Sequence, residues 1–129
     1  MDPTLERPDN LETFQRFVFD GMASGLQEAA DKLGRGEDPT FSCTSVLAYA
    51  EGDETTGLEA AVQKAQEQCG REIPIAWATR QLDAAEATGD IAESIGECAS
   101  TLVSLDLVQE RYSDPRVTEL RTRANQLCP

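Results

Sequence analysis

Residues 43–47 have the sequence Cys43-Thr44-Ser45-Val46-Leu47, and their pattern of cysteine, serine and leucine returns in Cys98-Ala99-Ser100-Thr101-Leu102. A second pair of similar segments ends in the two remaining cysteines: Lys64-Ala65-Gln66-Glu67-Gln68-Cys69 and Arg123-Ala124-Asn125-Gln126-Leu127-Cys128. The segments follow one another in the same order and bracket all four cysteines. Because similar segments in a fixed order indicate internal duplication, we predict two similar units, about 11–70 and 73–129, with one cysteine pair in each.

The cysteine spacing favours a structural role. Four cysteines allow three pairings. In the second half, Cys98 and Cys128 lie about equally far from a turn near Asp114, so antiparallel helices could bring them together; in the first half the turn is off-centre. We favour Cys43 with Cys69 and Cys98 with Cys128, while the alternative joins the halves through Cys43 with Cys128 and Cys69 with Cys98. The 25 and 29 residues between the favoured partners do not resemble a redox C-x-x-C pair or the close ligand pairs of structural zinc sites.

The composition favours helix throughout. The 129 residues are rich in Ala, Leu, Glu and Gln and poor in aromatic and β-branched residues, which predicts one all-α domain over residues 10–129, after a flexible arm at 1–9. We expect a compact bundle of about six helices, made of two three-helix units that each contain a disulfide-stapled helical hairpin. The predicted helices run from Leu11 to about Leu33, from Thr40 or Ser42 to Ala50, from Thr55 or Thr56 to Cys69, from about Pro74 to Thr88, from Ile91 to about Tyr112, and from the Pro115 turn onward.

Glycines predict where some of these helices end or bend, and the spacing of apolar residues predicts which face of each helix is buried. Gly70 is the predicted stop of the third helix. Gly21 and Gly25 interrupt the first helix, where they either kink it or permit a close helix crossing. The first helix should turn one stripe inward: Leu11, Phe14, Val18, Met22, Leu26, Ala29 and Leu33. The fifth should do the same with Ile95, Cys98, Leu102 and Leu105.

The charge balance constrains the partners. The chain carries 24 acidic and 11 basic residues, a net charge of −13, so phosphate backbones and anionic membranes should be repelled and no nucleic-acid binding is expected. No apolar run is long enough for a membrane span. The one basic cluster, Arg111, Arg116, Arg121 and Arg123, is interleaved with acidic residues, which favours surface ion pairs. We expect a protein partner, and the acidic charge favours one with a basic surface; the sequence leaves the oligomeric state open.

An even number of well-spaced cysteines in a small chain is typical of oxidising compartments, so we predict a periplasmic or secreted protein. The chain begins without the basic and apolar regions of a signal peptide, and we interpret it as the mature fragment. The alternative is a cytosolic protein with four free thiols.

Catalytic and cofactor motifs are missing from the sequence. The chain has no histidine, which removes the familiar Ser-His and Cys-His nucleophiles and histidine metal ligands. Glycine-rich phosphate loops are also missing, and we predict no cofactor, metal or catalytic residue. The acidic turn of Glu51, Asp53 and Glu54 with Glu59 fits a solvated turn better than a calcium loop. A second acidic group, Asp83, Glu86, Asp90, Glu93 and Glu97, is either a solvated face or a docking surface for a basic partner.

Phe17 and Trp77 lie off the predicted apolar stripes, so each is either a core residue of a helix buried on two sides or a partner contact. The favoured function is a non-enzymatic, exported interaction or accessory module. A second possibility is a carrier whose cavity, lined by Phe14, Phe17, Met22, Trp77 and Leu102, holds a small apolar ligand. An enzyme that uses paired carboxylates is the third.

Overall fold

The computed structural model describes residues 2–89 and 95–128, and the all-α fold class is confirmed. In this part of the chain 75% of the residues are helical and none lies in a strand, so no sheet contributes to the core. The helices are α1 (Thr13–Arg35), α2 (Thr40–Ala50), α3 (Glu59–Glu67), a π-helical turn (Gln68–Glu72), α4 (Ile73–Thr88), α5 (Ile95–Gln109) and α6 (Pro115–Leu127). None of the described helices is long and apolar enough to cross a membrane.

The chain divides into two compact units, unit 1 ending at Ile73 and unit 2 beginning at Pro74. In unit 1, α1 packs along α2, and α2 packs on α3 and the π-helical turn. In unit 2, α4, α5 and α6 surround one apolar core, which consists of Ile75, Ala78, Leu82, Leu105, Val108, Val117, Leu120 and Ala124. Each unit therefore has buried apolar residues contributed by three successive helical elements.

The predicted stop at Gly70 is wrong, because α3, the π-helical turn and α4 follow one another without a break. A glycine ends a helix when it takes the left-handed conformation, as Gly36 does after α1 with φ 76°. Gly70 stays inside the π-helical turn, where the Ile73 N–H donates to the Gln68 carbonyl five residues back. Pro74 has no N–H for the Gly70 carbonyl, and a wider turn is a known way for a helix to accommodate such a gap. The count of six separate helices is not confirmed.

Two glycines of α1 allow α2 to approach closely. A Cβ atom on Gly21 would lie 2.6 Å from the Tyr49 ring, and one on Gly25 would lie 2.7 Å from a methyl group of Val46. Val46 is fully buried. Of the two roles predicted for these glycines, the structure therefore shows the close helix crossing.

A pair of glycine substitutions on the same helix tests this crossing. Gly25→Ala should lose up to about 2 kcal/mol of unfolding free energy, because overpacking against Val46 exceeds the gain in helix propensity. Gly34→Ala is the matched control: a Cβ there would meet nothing within 4 Å, so this variant should gain about 0.5 kcal/mol. Urea unfolding measures both, and equal stabilisation by the two substitutions would show that the crossing does not depend on glycine.

Two predicted stripes differ from the observed faces. In α1, Val18, Met22, Leu26 and Ala29 are buried as predicted, but Phe14 is 56% exposed. In α5, Cys98 and Leu105 are buried, whereas Ile95 and Leu102 are exposed and the polar Thr101 and Ser104 are buried. Because α5 is apolar on most of its circumference, its spacing pattern alone cannot indicate which side faces inward.

The cysteines form two pairs at disulfide-bonding distance, and no described cysteine is free. Cys43 of α2 pairs with Cys69 of the π-helical turn across a Cα–Cα distance of 4.8 Å. Cys98 of α5 pairs with Cys128, the residue that ends α6, across 6.0 Å. Both distances lie within the usual disulfide range, and the pairing is the one that the sequence favours.

The two halves use the repeated pattern differently. Leu47, at the end of the first copy, is buried in α2, but Leu102, at the end of the second copy, is exposed on α5. The internal duplication stays a prediction.

The segment before α1, predicted as a flexible arm, contacts the helices of unit 1 at several points. Leu5 is buried, the Lys64 ammonium donates to the Thr4 carbonyl, and Arg7 lies over the Phe19 ring while pairing with Asp20. The segment is therefore held by the buried Leu5 side chain, by the Lys64 ammonium at the residue before it, and by Arg7 two residues after it.

Candidate interaction surface

Three aromatic rings form one exposed cluster on unit 1. Phe14 and Phe17 come from α1 and Tyr49 from α2. The Phe14 and Phe17 ring centroids are 6.3 Å apart, and the Phe17 ring meets the Tyr49 ring edge-on at 5.9 Å. Phe14 is 56% exposed and Phe17 is 61% exposed, which is unusual for phenylalanine. We call these three residues the aromatic patch.

The close crossing of α1 and α2 holds the patch together. Gly21 follows Phe17 by one turn of α1, and the Tyr49 ring lies against the Gly21 backbone. The Tyr49 ring therefore reaches across α1 to contact the Phe17 ring. The next residue of α1, Val18, is buried. Phe17 therefore projects from a helix whose adjacent side is fixed in the core, and the patch is set on rigid elements.

A small cleft of about 210 Å³ opens beside the patch. The aromatic patch with Val18 and Ala48 forms its apolar walls, and the turn after α2 supplies Gly52, Asp53 and Glu54. Both carboxylate residues are exposed, and none of the cleft's lining residues in the described part of the chain is basic. Aromatic faces and carboxylates both attract cations, so the cleft has the chemistry of a site for a positively charged side chain.

The two residues singled out as partner contacts have different environments. Phe17 is exposed, but Trp77 is only 5% exposed, and its indole N–H donates to the Ser100 hydroxyl at 2.8 Å. A buried tryptophan with a satisfied N–H has the properties of a core residue. The structure therefore does not support Trp77 as a partner contact. Phe41, at the start of α2, is exposed but does not line the cleft.

The described members of the acidic clusters do not assemble a metal site. Across residues 2–89 and 95–128, no group of three or more metal-ligating side chains converges. Glu59 accepts a hydrogen bond from the Gly57 N–H at 3.1 Å, and the pKa of its carboxyl group is lowered by hydrogen bonds from the backbone N–H groups of Glu59 itself and Gly57. The Glu59 carboxylate is therefore hydrogen-bonded to the backbone of the turn that precedes α3.

The second acidic group is partly neutralised by α6. Arg123 donates to Asp83 and to Glu86, each at 2.9 Å, and these bonds, first that to Asp83, raise the pKa of the Arg123 guanidinium. Glu97 lies on α5 and is half-buried. Asp90 and Glu93 lie outside the described residues. The contacts of Arg123 leave less net charge on this face than the sequence suggests.

The basic residues near the C-terminus are engaged in ion pairs. Arg111 pairs with Glu110, Arg116 with Asp114, and Arg121 with Asp106. Asp114 also caps α6 by accepting from the Arg116 N–H, with Pro115 in the first turn. This cluster therefore offers little unpaired positive charge.

The residues named for an apolar carrier cavity do not share one environment. In unit 1, Met22 is fully buried while Phe14 and Phe17 are exposed; in unit 2, Trp77 is buried and Leu102 is exposed. Phe14 and Phe17 line the small cleft on unit 1 and Leu102 lines a groove on unit 2, but among the described residues neither Met22 nor Trp77 lines either one.

No protein-family model, curated protein or solved structure matches the chain.

Proposed function

We propose that the protein is a non-enzymatic, exported interaction module that recognises an arginine or lysine side chain on a partner protein at the aromatic patch. The observation that carries this proposal is the exposure of Phe14 and Phe17 next to the carboxylates of Asp53 and Glu54. In this proposal Phe17, one of the two partner contacts considered from the sequence, is the central contact residue. The aromatic patch is the binding site for the basic partner that the acidic charge favours.

The energetics favour a partner that covers these rings. Three of the four phenylalanines are exposed, and only Phe19 is buried. The exposed rings therefore keep apolar surface in contact with water. Covering one phenylalanine side chain is worth about 1.5–3 kcal/mol, and a cation above an aromatic face adds about 0.5–2 kcal/mol. Aromatic residues at the centre of an interface commonly carry most of its binding energy.

The acidic turn gives the site its preference. Asp53 and Glu54 lie on the rim of the cleft, and the whole chain carries a net charge of −13. This field attracts basic partners and repels acidic ones, and it raises association rates at low ionic strength. Arg7 above Phe19 at 5.7 Å is an example of the same cation–ring contact within unit 1.

Export is supported by the cysteines. All four lie in pairs at bonding distance, and such disulfides persist in oxidising compartments. The non-enzymatic assignment rests on the lack of histidine and on the dispersed carboxylates of the described residues. In this proposal the duplicated hairpin units act as a rigid scaffold for the surface.

Titration with short peptides tests the recognition of a basic side chain. The probes are Gly- and Ser-rich heptapeptides with a central arginine, lysine or citrulline, and the readout is the amide chemical shift of residues 14, 17, 49, 53 and 54. Arginine and lysine peptides should shift these signals. The citrulline peptide, which has the arginine shape without its charge, should not.

Phe17→Ala should weaken binding of the arginine peptide by about tenfold, since it removes the ring faces that contact the cation. Phe41→Ala is the control, because Phe41 is at least as exposed but lies outside the cleft. Equal binding of the citrulline and arginine peptides, or an equal loss in both variants, would contradict the proposed function.

A further inference from the structure

The second disulfide lines an apolar groove on unit 2. This groove has a volume of about 430 Å³ and runs between α5 and α6. Both cysteines belong to its lining, which is otherwise formed by Ile95, Ala99, Leu102, Ala124 and Asn125. None of the described residues that line the groove has a charged side chain.

The two disulfides differ in their access to solvent. Cys43 is 1% exposed and Cys69 is 0% exposed, so the first disulfide is enclosed in unit 1. Cys98 is 8% exposed and Cys128 is half-buried at the groove wall. A thiol can reach the second disulfide from outside, whereas the first becomes accessible only when unit 1 opens.

The groove exists because α5 turns apolar side chains outward. Ile95, Ala99 and Leu102 follow one another at helical spacing on the exposed side of the helix, while the hydroxyl-bearing Thr101 and Ser104 are buried. Asp106, which pairs with Arg121, ends this apolar strip. The surface around the disulfide is therefore suited to an uncharged, apolar molecule.

We propose that the Cys98–Cys128 disulfide is a site of thiol–disulfide exchange for thiols that carry an apolar group, such as a cysteine in an apolar peptide segment. The external thiol loses its proton to solvent, and its thiolate attacks the Sγ atom of Cys128. A new bond joins the external sulfur to Cys128 as the bond between Cys128 and Cys98 breaks. The Cys98 sulfur leaves with the electron pair and takes a proton from solvent, so the exchange involves no net oxidation or reduction.

The positions of the two sulfurs set this direction of attack. Cys128 is the more exposed cysteine and ends α6, where its N–H donates to the Ala124 carbonyl. Cys98 lies within α5 and is buried except for the small part that borders the groove. Attack at Cys128 therefore requires movement only at a helix end. The Cys98 thiol stays beside the groove, and it can displace the external thiol and restore the original bond.

Two thiols of similar acidity, benzyl mercaptan and 2-mercaptoethanol, test the site on the whole folded protein. Mixtures are quenched with iodoacetamide at successive times, and mass spectrometry of the peptides locates each adduct. We expect benzyl mercaptan to form a mixed disulfide at Cys128 at least about tenfold faster than any adduct forms at Cys43 or Cys69. We also expect it to react faster there than 2-mercaptoethanol does.

A matched pair of variants tests the role of the groove. Leu102→Ser removes an apolar wall and should abolish the preference for benzyl mercaptan, while Val103→Ser changes an exposed neighbour that does not line the groove and should preserve it. Ala99→Gln, which fills the groove, should act like Leu102→Ser. Equal exchange at the two disulfides, adducts only at Cys98, or a benzyl preference that survives both groove variants would overturn the proposal.

Discussion

The double variant Cys43→Ala/Cys69→Ala is expected to lose about 5 kcal/mol of unfolding free energy, more than the roughly 4 kcal/mol expected for Cys98→Ala/Cys128→Ala. The loss follows from two terms, the chain entropy of the unfolded state and the packing of the sulfur atoms in the folded state. Only the second term distinguishes the two disulfides.

Chain entropy predicts nearly the same loss for both. The paired cysteines are 26 and 30 positions apart. Closing a loop of that length lowers the entropy of the unfolded chain, which stabilises the folded state by about 3.5 kcal/mol in each case. The longer loop of unit 2 should stabilise very slightly more. If entropy alone acted, the order of the two double variants would be the reverse of the one we expect.

Packing reverses the order. The first disulfide is enclosed on all sides, so replacing both cysteines with alanine leaves a cavity that its neighbours fill only in part. The second disulfide borders an open groove, and water can occupy the space of its sulfur atoms. The buried pair therefore adds a packing loss of roughly 1–2 kcal/mol to the entropy term.

Urea unfolding of the two double variants without reductant measures the difference. The result that would contradict this account is a larger loss for the unit 2 variant, or a loss below about 2 kcal/mol for both. Stability that falls in the expected order would also support the difference in access on which the proposed thiol exchange depends.

Trp77→Ala is expected to destabilise the protein by about 3–5 kcal/mol, the usual cost of removing a large aromatic side chain from a core. The tryptophan side chain is 5% exposed on α4, and it satisfies its N–H through Ser100 on α5. The variant loses the apolar contacts of the ring and leaves the Ser100 hydroxyl without this donor.

Two smaller changes separate these contributions. Trp77→Phe keeps most of the ring contacts and should lose about 1–3 kcal/mol, while Ser100→Ala keeps the ring and leaves a buried N–H unpaired, at a loss of about 1–2 kcal/mol. Denaturant unfolding measures all three variants. Trp77 is the only tryptophan, so its fluorescence should shift to longer wavelength only on unfolding.

The comparison with Phe17 gives this prediction a control. Phe17→Ala should change the unfolding free energy by less than about 0.5 kcal/mol, because most of that side chain is already in water. If Trp77→Ala were as mild as Phe17→Ala, the tryptophan would not be a core residue. Trp77 and Phe17, which the sequence analysis treated alike, would then both be surface residues.

The features of the fold that could be predicted from the sequence were those that depend on local sequence patterns. Helical propensity and the low share of aromatic and β-branched residues indicated an all-α chain, and the turn near Asp114 with Pro115 indicated the start of α6. The cysteine pairs were predictable because each joins segments that are close in the chain. Gly21 and Gly25 were recognisable as a packing signal because glycine is costly within a helix.

The faces of the helices were less predictable. Phe14 fits the apolar stripe of α1, but the path of α2 across Gly21 and Gly25 leaves it outside the core. In α5, Leu102 and Thr101 are neighbours, and the amino acid sequence alone gives no reason why threonine should be the buried one. The continuity of α3 and α4 through Gly70 depended on a π-helical turn, and the glycine at position 70 suggested a helix end instead.

The sequence by itself determined the helical class, the acidic charge and the lack of histidine chemistry, and it favoured the observed cysteine pairs, since these properties depend on residue types and on contacts between nearby segments. Only the tertiary structure decided that Phe14 and Phe17 form an exposed patch with Tyr49, that Trp77 is buried, and that one disulfide is enclosed while the other borders a groove. The rotation of each helix about its own axis makes that difference. It is set by packing against several neighbours at once, and the spacing of apolar residues within one helix does not specify it.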